Sequence, residues 1–117
     1  MPSKEATRYY SDKQEKAVCR ALGARQTSNS GANKFEKGDV IQEEASLLIE
    51  CKTMTSERAS ISIKKDWLDK NKEEAYRNRL NNNCLAINFG PDTPNYYIIS
   101  EKLMMFLVEK LIEEETN

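Results

Sequence analysis

The chain contains no histidine at all. That excludes Ser-His-Asp triads, a histidine general base and most catalytic zinc sites, and leaves carboxylate and lysine chemistry. Cysteine is scarce as well: Cys19, Cys51 and Cys84 are odd in number, far apart and each set in an apolar stretch. Such thiols read as buried and free in a reducing compartment, not as a disulfide framework or a zinc site. No apolar run approaches the length of a bilayer span, and residues 1–5 carry no apolar signal core. An intracellular, cytoplasmic location without a membrane partner is therefore expected. The few glycines form no GxxxxGK phosphate loop, and no internal repeat or low-complexity linker is present. A net charge of −1 does not advertise nucleic-acid binding. The acids are unevenly placed, however. Glu113, Glu114 and Glu115 sit at the C-terminus while the first 80 residues hold most of the Lys and Arg, so a locally basic face is compatible with the total.

What is present suits one domain, residues 1–117, with a modest core: 38% of residues are hydrophobic beside 32% charged. The central stretch is residues 38–53. Within it Leu47-Leu48-Ile49-Glu50-Cys51-Lys52 reads as a buried strand. Alternation sends Leu47, Ile49 and Cys51 to one face and Leu48, Glu50 and Lys52 to the other. Charges on an apolar strand each need a partner, because burying an isolated one costs several kcal/mol or more. Asp39 opens Asp39-Val40-Ile41, a run fit to be the neighbouring antiparallel strand. Two carboxylates at a strand end beside a main-chain carbonyl make an all-oxygen set suited to Mg²⁺. A lysine two residues on can orient or deprotonate a water, or stabilise developing negative charge. The bland alternative is an exposed hairpin with a weak same-face ion pair.

In chain order, residues 1–10 read as a partly ordered lead-in, and Ser11 or Asp12 as the cap of a helix reaching Leu22 and ended by Gly23. Glu15 borders its inward face. Residues 25–27 suit a short strand, and residues 28–37 a polar loop, able to touch phosphates or simply solvated. Beyond the central strand, Ser62 is placed to cap a basic helix over residues 63–80, whose thin inner stripe includes Trp67, Leu68, Asn71, Ala75 and Arg79. Its start, with Ser62, Lys64 and Lys65, could grip phosphates, or the helix could be a solvated face with pairs such as Lys70–Glu74. Asn81, Asn82 and Asn83 read as a turn, residues 84–90 as a core strand, and residues 96–100 as the last strand. Ser100 then caps a helix over residues 101–114, whose wide apolar side is core or a dimer face.

Asp39, ten intervening residues and then Glu50-Cys51-Lys52 resemble the D…(D/E)-x-K signature of the PD-(D/E)xK nuclease superfamily. Gly38 stands where the superfamily name has Pro. The string from Glu15 to Arg25, followed by Thr27-Ser28-Asn29-Ser30-Gly31, is similar to the opening of archaeal-type Holliday junction resolvases. The resemblance implies an α/β fold: a restriction-endonuclease-like αβββαβ core, its mixed central sheet flanked by helices. It implies a Mg²⁺-dependent endonuclease, with Mn²⁺ as a substitute, that resolves four-way DNA junctions. Asp39, Glu50 and the Cys51 carbonyl would hold metal, Glu15 would complete the site or support its ligands from behind, and Lys52 would position the attacking water. Arg25, Ser30, Lys34, Ser62, Lys64 and Lys65 are the DNA contacts it suggests. Members of that family act as homodimers, and compact relatives are carried by phages. The rival readings are another duplex nuclease of the same fold, and a binding module that has lost the chemistry.

Overall fold

In the computed structural model, residues 4–27 and 38–116 are described. The elements run α1 (Lys4–Leu22), β1 (Arg25–Gln26), β2 (Asp39–Gln42), β3 (Leu47–Lys52), α2 (Lys65–Arg77), β4 (Asn82–Ile87), β5 (Tyr96–Ile99) and α3 (Glu101–Thr116). The five strands form one mixed sheet in the order β1-β2-β3-β4-β5. Only β3 and β4 pair in parallel, and α2 makes the crossover between them. This is an α/β sheet flanked by helices.

The alternation of β3 divides the core between two faces. Ile49 and its neighbour Val40 pack with Cys84, Ala86 and Val18 of α1 on one side. Leu48 packs with Ile41, with Ala75 of α2 and with Leu80 on the other. Burial pushes the Cys84 thiol up to about 12, as suits a thiol inside an apolar sheet face.

Several boundaries differ from the sequence expectation. α1 begins at Lys4, so Ser11 and Asp12 lie inside it and cap nothing. No glycine or proline interrupts residues 4–22, and the helix therefore runs on toward the N-terminus. α2 starts at Lys65, after an extended Lys64 with no side-chain cap. Ser62 is too far upstream to reach its free N–H groups. The helix stops at Arg77 because Arg79 turns left-handed (φ 60°) and Leu80 N–H donates to the Ala75 carbonyl, which folds Leu80 onto the core. Arg79 is exposed and not part of the inner stripe, whereas Glu74 is buried; Lys70 pairs with Asp66. Asn82 and Asn83 belong to β4 and not to a turn. Their amides are engaged, Asn83 Nδ2 with Asn71 Oδ1 at 2.7 Å and Asn82 Nδ2 with the Ala45 carbonyl at 2.9 Å. Ser100 does cap α3, its Oγ accepting from Leu103 N–H. Yet α3 is not core: none of its residues is buried.

Candidate active site

Asp39 opens β2, and the antiparallel register sets it directly opposite Glu50 of β3. By alternation both lie on the α2 side of the sheet, with Ile41 and Leu48. Both are deeply buried, at 0% and 4% exposure. Leu85 of β4 is level with Glu50 on its other flank and walls it with hydrocarbon. Lys52 lies on the same face one step toward the strand end, its Nζ 3.9 Å from Glu50 Oε1. That is an ion-pair distance beyond hydrogen-bond reach. The ammonium is instead seated over the ring of Trp67, 4.7 Å from its centroid, within cation–π range. Trp67 projects from the first turn of α2, and Lys64 Nζ approaches the same ring at 5.9 Å.

Glu15 comes to these strand ends from α1. Its Oε1 accepts from Gln26 Nε2 at 3.1 Å, and the same amide donates to Asp12 Oδ1 at 3.0 Å. That bond, with Lys16 alongside, holds the Asp12 carboxyl below the usual carboxylate range. Gly38 is the hinge of the corner. Its φ of +98° is closed to proline, whose ring fixes φ near −65°. A Cβ at 38 would meet the Cys51 carbonyl oxygen at 3.6 Å and Glu15 Oε2 at 4.0 Å. Burial, then the charges of Glu15 and Asp39, push the Cys51 thiol far above its ordinary value. It stays a protonated spectator.

Among the described residues no three His, Cys, Asp or Glu side chains are gathered closely enough to hold a metal. Glu15 thus stands apart from the Asp39–Glu50 pair and does not complete a three-acid cage. The pair still suits Mg²⁺, which keeps several waters and takes one or two carboxylates plus substrate phosphates.

Beside Lys52 opens a cleft of about 460 Å³, lined by Gly38, Cys51, Lys52 and Thr53 and by Lys4, Thr7, Arg8 and Ser11 of α1. The α1 residues were not among the sequence candidates. The unbroken helix-forming run over residues 4–22 was the signal for them. Gln14, which the sequence pattern does not single out, is buried with its Nε2 3.1 Å from the main-chain oxygens of Lys52 and Ala86 and from Asn95 Oδ1. It clamps the main chain under Lys52. Thr53 Oγ1 donates to Asn88 Oδ1 at 3.1 Å and fixes the next residue.

The remaining sequence candidates are scattered. Arg25 is engaged by Glu43 at 2.7 Å, toward the β2–β3 turn and away from Asp39. Ser62 and Lys64 are exposed before α2, and Lys65 pairs with Asp69 one turn on. Ser30 and Lys34 lie outside the described residues. No helix among the described residues is long and apolar enough to cross a membrane. Compared with protein-family models, curated proteins and solved structures, the chain matches none.

Proposed function

We propose that this chain is a Mg²⁺-dependent endodeoxyribonuclease of the PD-(D/E)xK type, resolving four-way DNA junctions. The observation that carries the reading is the in-register pair Asp39–Glu50 with Lys52 on the same face of β3. The element order α-β-β-β-α-β agrees with the superfamily's core. Asp39, Glu50 and the Cys51 carbonyl are the groups that would hold Mg²⁺, with Mn²⁺ as a substitute. Bound there, the ion supplies Lewis-acid stabilisation of the phosphoryl group and a more acidic water.

The chain's own residues do the rest. Lys52 holds a positive charge where negative charge develops and orients the attacking water. Trp67 keeps that ammonium over its ring and restricts where it can go. Lys4 and Arg8 offer charge to phosphates entering the cleft, while Thr7 and Ser11 offer hydroxyls. Glu15, held by Gln26, lends negative charge from the α1 side.

The deciding experiment incubates the protein with labelled four-way junction and matched linear duplex, with Mg²⁺ or EDTA. Paired nicks across the junction only, and only with Mg²⁺, support resolution. Equal cleavage of both substrates indicates a general duplex nuclease, and binding without cleavage indicates a module that lacks the chemistry.

Trp67 gives a finer test. Trp67→Ala is expected to lower kcat about 5- to 20-fold with KM little changed, since a partly desolvated cation–π contact contributes about 1–2 kcal/mol. Trp67→Phe, which keeps a ring face, should recover most of the loss. An alanine variant with wild-type kcat would leave Trp67 a packing residue only.

A further inference from the structure

Of the three helices described, only α3 buries no residue. Met104, Met105, Phe106, Val108, Leu111 and Ile112 are between 41% and 66% exposed. Leu103 to Val108 is apolar without a break, so hydrocarbon extends beyond the side of the helix that its own sheet could meet. At its root lies a groove of about 640 Å³ between α2 and β5. Leu68, Ala75, Leu80 and Ile98 form its floor and far wall, and Leu103 and Phe106 of α3 form the near one. The outer side of α3 is left open.

Charge says what covers it. The last turn of α3 has no basic residue and carries Glu113, Glu114 and Glu115 at the helix end where acids are unfavourable. The rim of the groove carries Lys72 and Lys102 beside one acid, Asp69, which Lys65 already pairs at 2.7 Å. A second copy with its α3 antiparallel brings each acidic end onto the other's basic rim. Area agrees: the exposed apolar side chains of α3 amount to roughly 600 Å² per copy, and a pair reaches the lower bound of a standard specific interface. An isolated patch of that size is at the upper limit for a monomer.

We infer that α3 is a self-association surface. Two copies pair about a two-fold axis, their α3 helices antiparallel, each laid across the other's α2–β5 groove. The groove lies by Asn82 and Asn83, level with Leu47 and Leu48 at the start of β3. Lys52 and the cleft are at the other end of that strand, about 15 Å away. Pairing therefore leaves both clefts open. The surface rests on exposure, area and charge, and stands whether or not the chain cleaves DNA.

The test is the mass of the full chain by sedimentation equilibrium, wild type against Met105→Glu/Leu111→Glu. Both positions are exposed in the single copy, so the circular dichroism of the folded chain should not change, and any fall in the urea midpoint should vanish at concentrations where the wild type is also monomeric. The wild type is expected to be a dimer at about 10 µM, and the double variant to dissociate at least about 100-fold more readily. Glu114→Lys/Glu115→Lys should also weaken the dimer, and adding Lys72→Glu/Lys102→Glu should restore it. A wild type that stays monomeric at tenfold higher concentration would overturn the inference, as would a dimer indifferent to Met105→Glu/Leu111→Glu. An open-ended series of larger species would overturn the closed two-fold pairing. Failure of the reciprocal charge reversal to restore association would overturn the antiparallel arrangement.

Discussion

Lys52→Ala is expected to slow phosphodiester cleavage about 10²- to 10³-fold while DNA affinity changes only a few-fold, the scale seen when one aimed donor is removed from a reacting centre. Several features concentrate the effect on rate. The Lys52 side chain is only 30% exposed, and its Nζ is held between Glu50 Oε1 and the Trp67 ring. The position is pre-set, so its charge acts without reorganisation. On the proposed reading, phosphate binding falls by contrast to Lys4 and Arg8 along the cleft, side chains that the substitution leaves in place. Glu50→Gln should lose cleavage to at least the same degree with the fold intact, because it keeps the side chain's shape and removes a buried charge. Single-turnover cleavage and filter binding on the same preparations separate the two quantities. Wild-type rates in either variant would remove the acid–lysine cluster from the chemistry.

Leu85→Ala is expected to destabilise the fold by about 3–4 kcal/mol, within the range for leucine truncation in a core that collapses only partly. Leu85 has no exposed surface. It is set in β4 between Glu50 of β3 and Ile98 of β5. The ladders on both sides stop the backbone from closing the hole. For a chain of this length the loss corresponds to a fall in Tm of about 10–15 °C. Urea unfolding with an unchanged m-value measures it. A cost under about 1 kcal/mol would mean that the sheet face by Glu50 is loosely packed.

The sequence was most legible where one strong signal acted alone. The apolar run of residues 47–52 bounded β3 correctly, and its alternation put Glu50 and Lys52 on one face, as found. The short run from Asp39 was legible as its antiparallel partner, and the register sets the two acids opposite each other. The order of the eight described elements could be read because Gly23, the polar stretches 53–62 and 90–95, and Ser100, which caps α3, separate apolar runs.

Errors arose where long-range contacts override local preference. Three consecutive asparagines are turn formers by composition, but Asn71 and Ala45 engage the amides of Asn83 and Asn82 and draw them into β4. A serine suited to capping α2 was bypassed because the chain stays extended through Lys64. An amphipathic pattern on α3 cannot say whether its apolar side faces its own sheet or something else. Trp67 illustrates the same limit: its spacing marked an inward position, while the lysine it holds lies 15 residues earlier on another element.

The sheet order has a consequence for how the molecule assembles. Strands adjacent in the sheet are consecutive along the chain, and β2 joins β3 through a turn of only four residues. Closing that turn is the least demanding step in the fold, since loop entropy grows with the logarithm of loop length. It brings Asp39 against Glu50 before α1 and α2 need to dock. The two carboxylates therefore meet early, and their mutual repulsion acts from the closing of the hairpin onward. Refolding of Glu50→Gln should accordingly be faster than that of the wild type, with the unfolding rate little altered. Stopped-flow rates showing the change only in unfolding would place the hairpin late. Faster refolding of the variant would mean that the acid–lysine cluster proposed for the chemistry also sets the pace at which the chain reaches its fold.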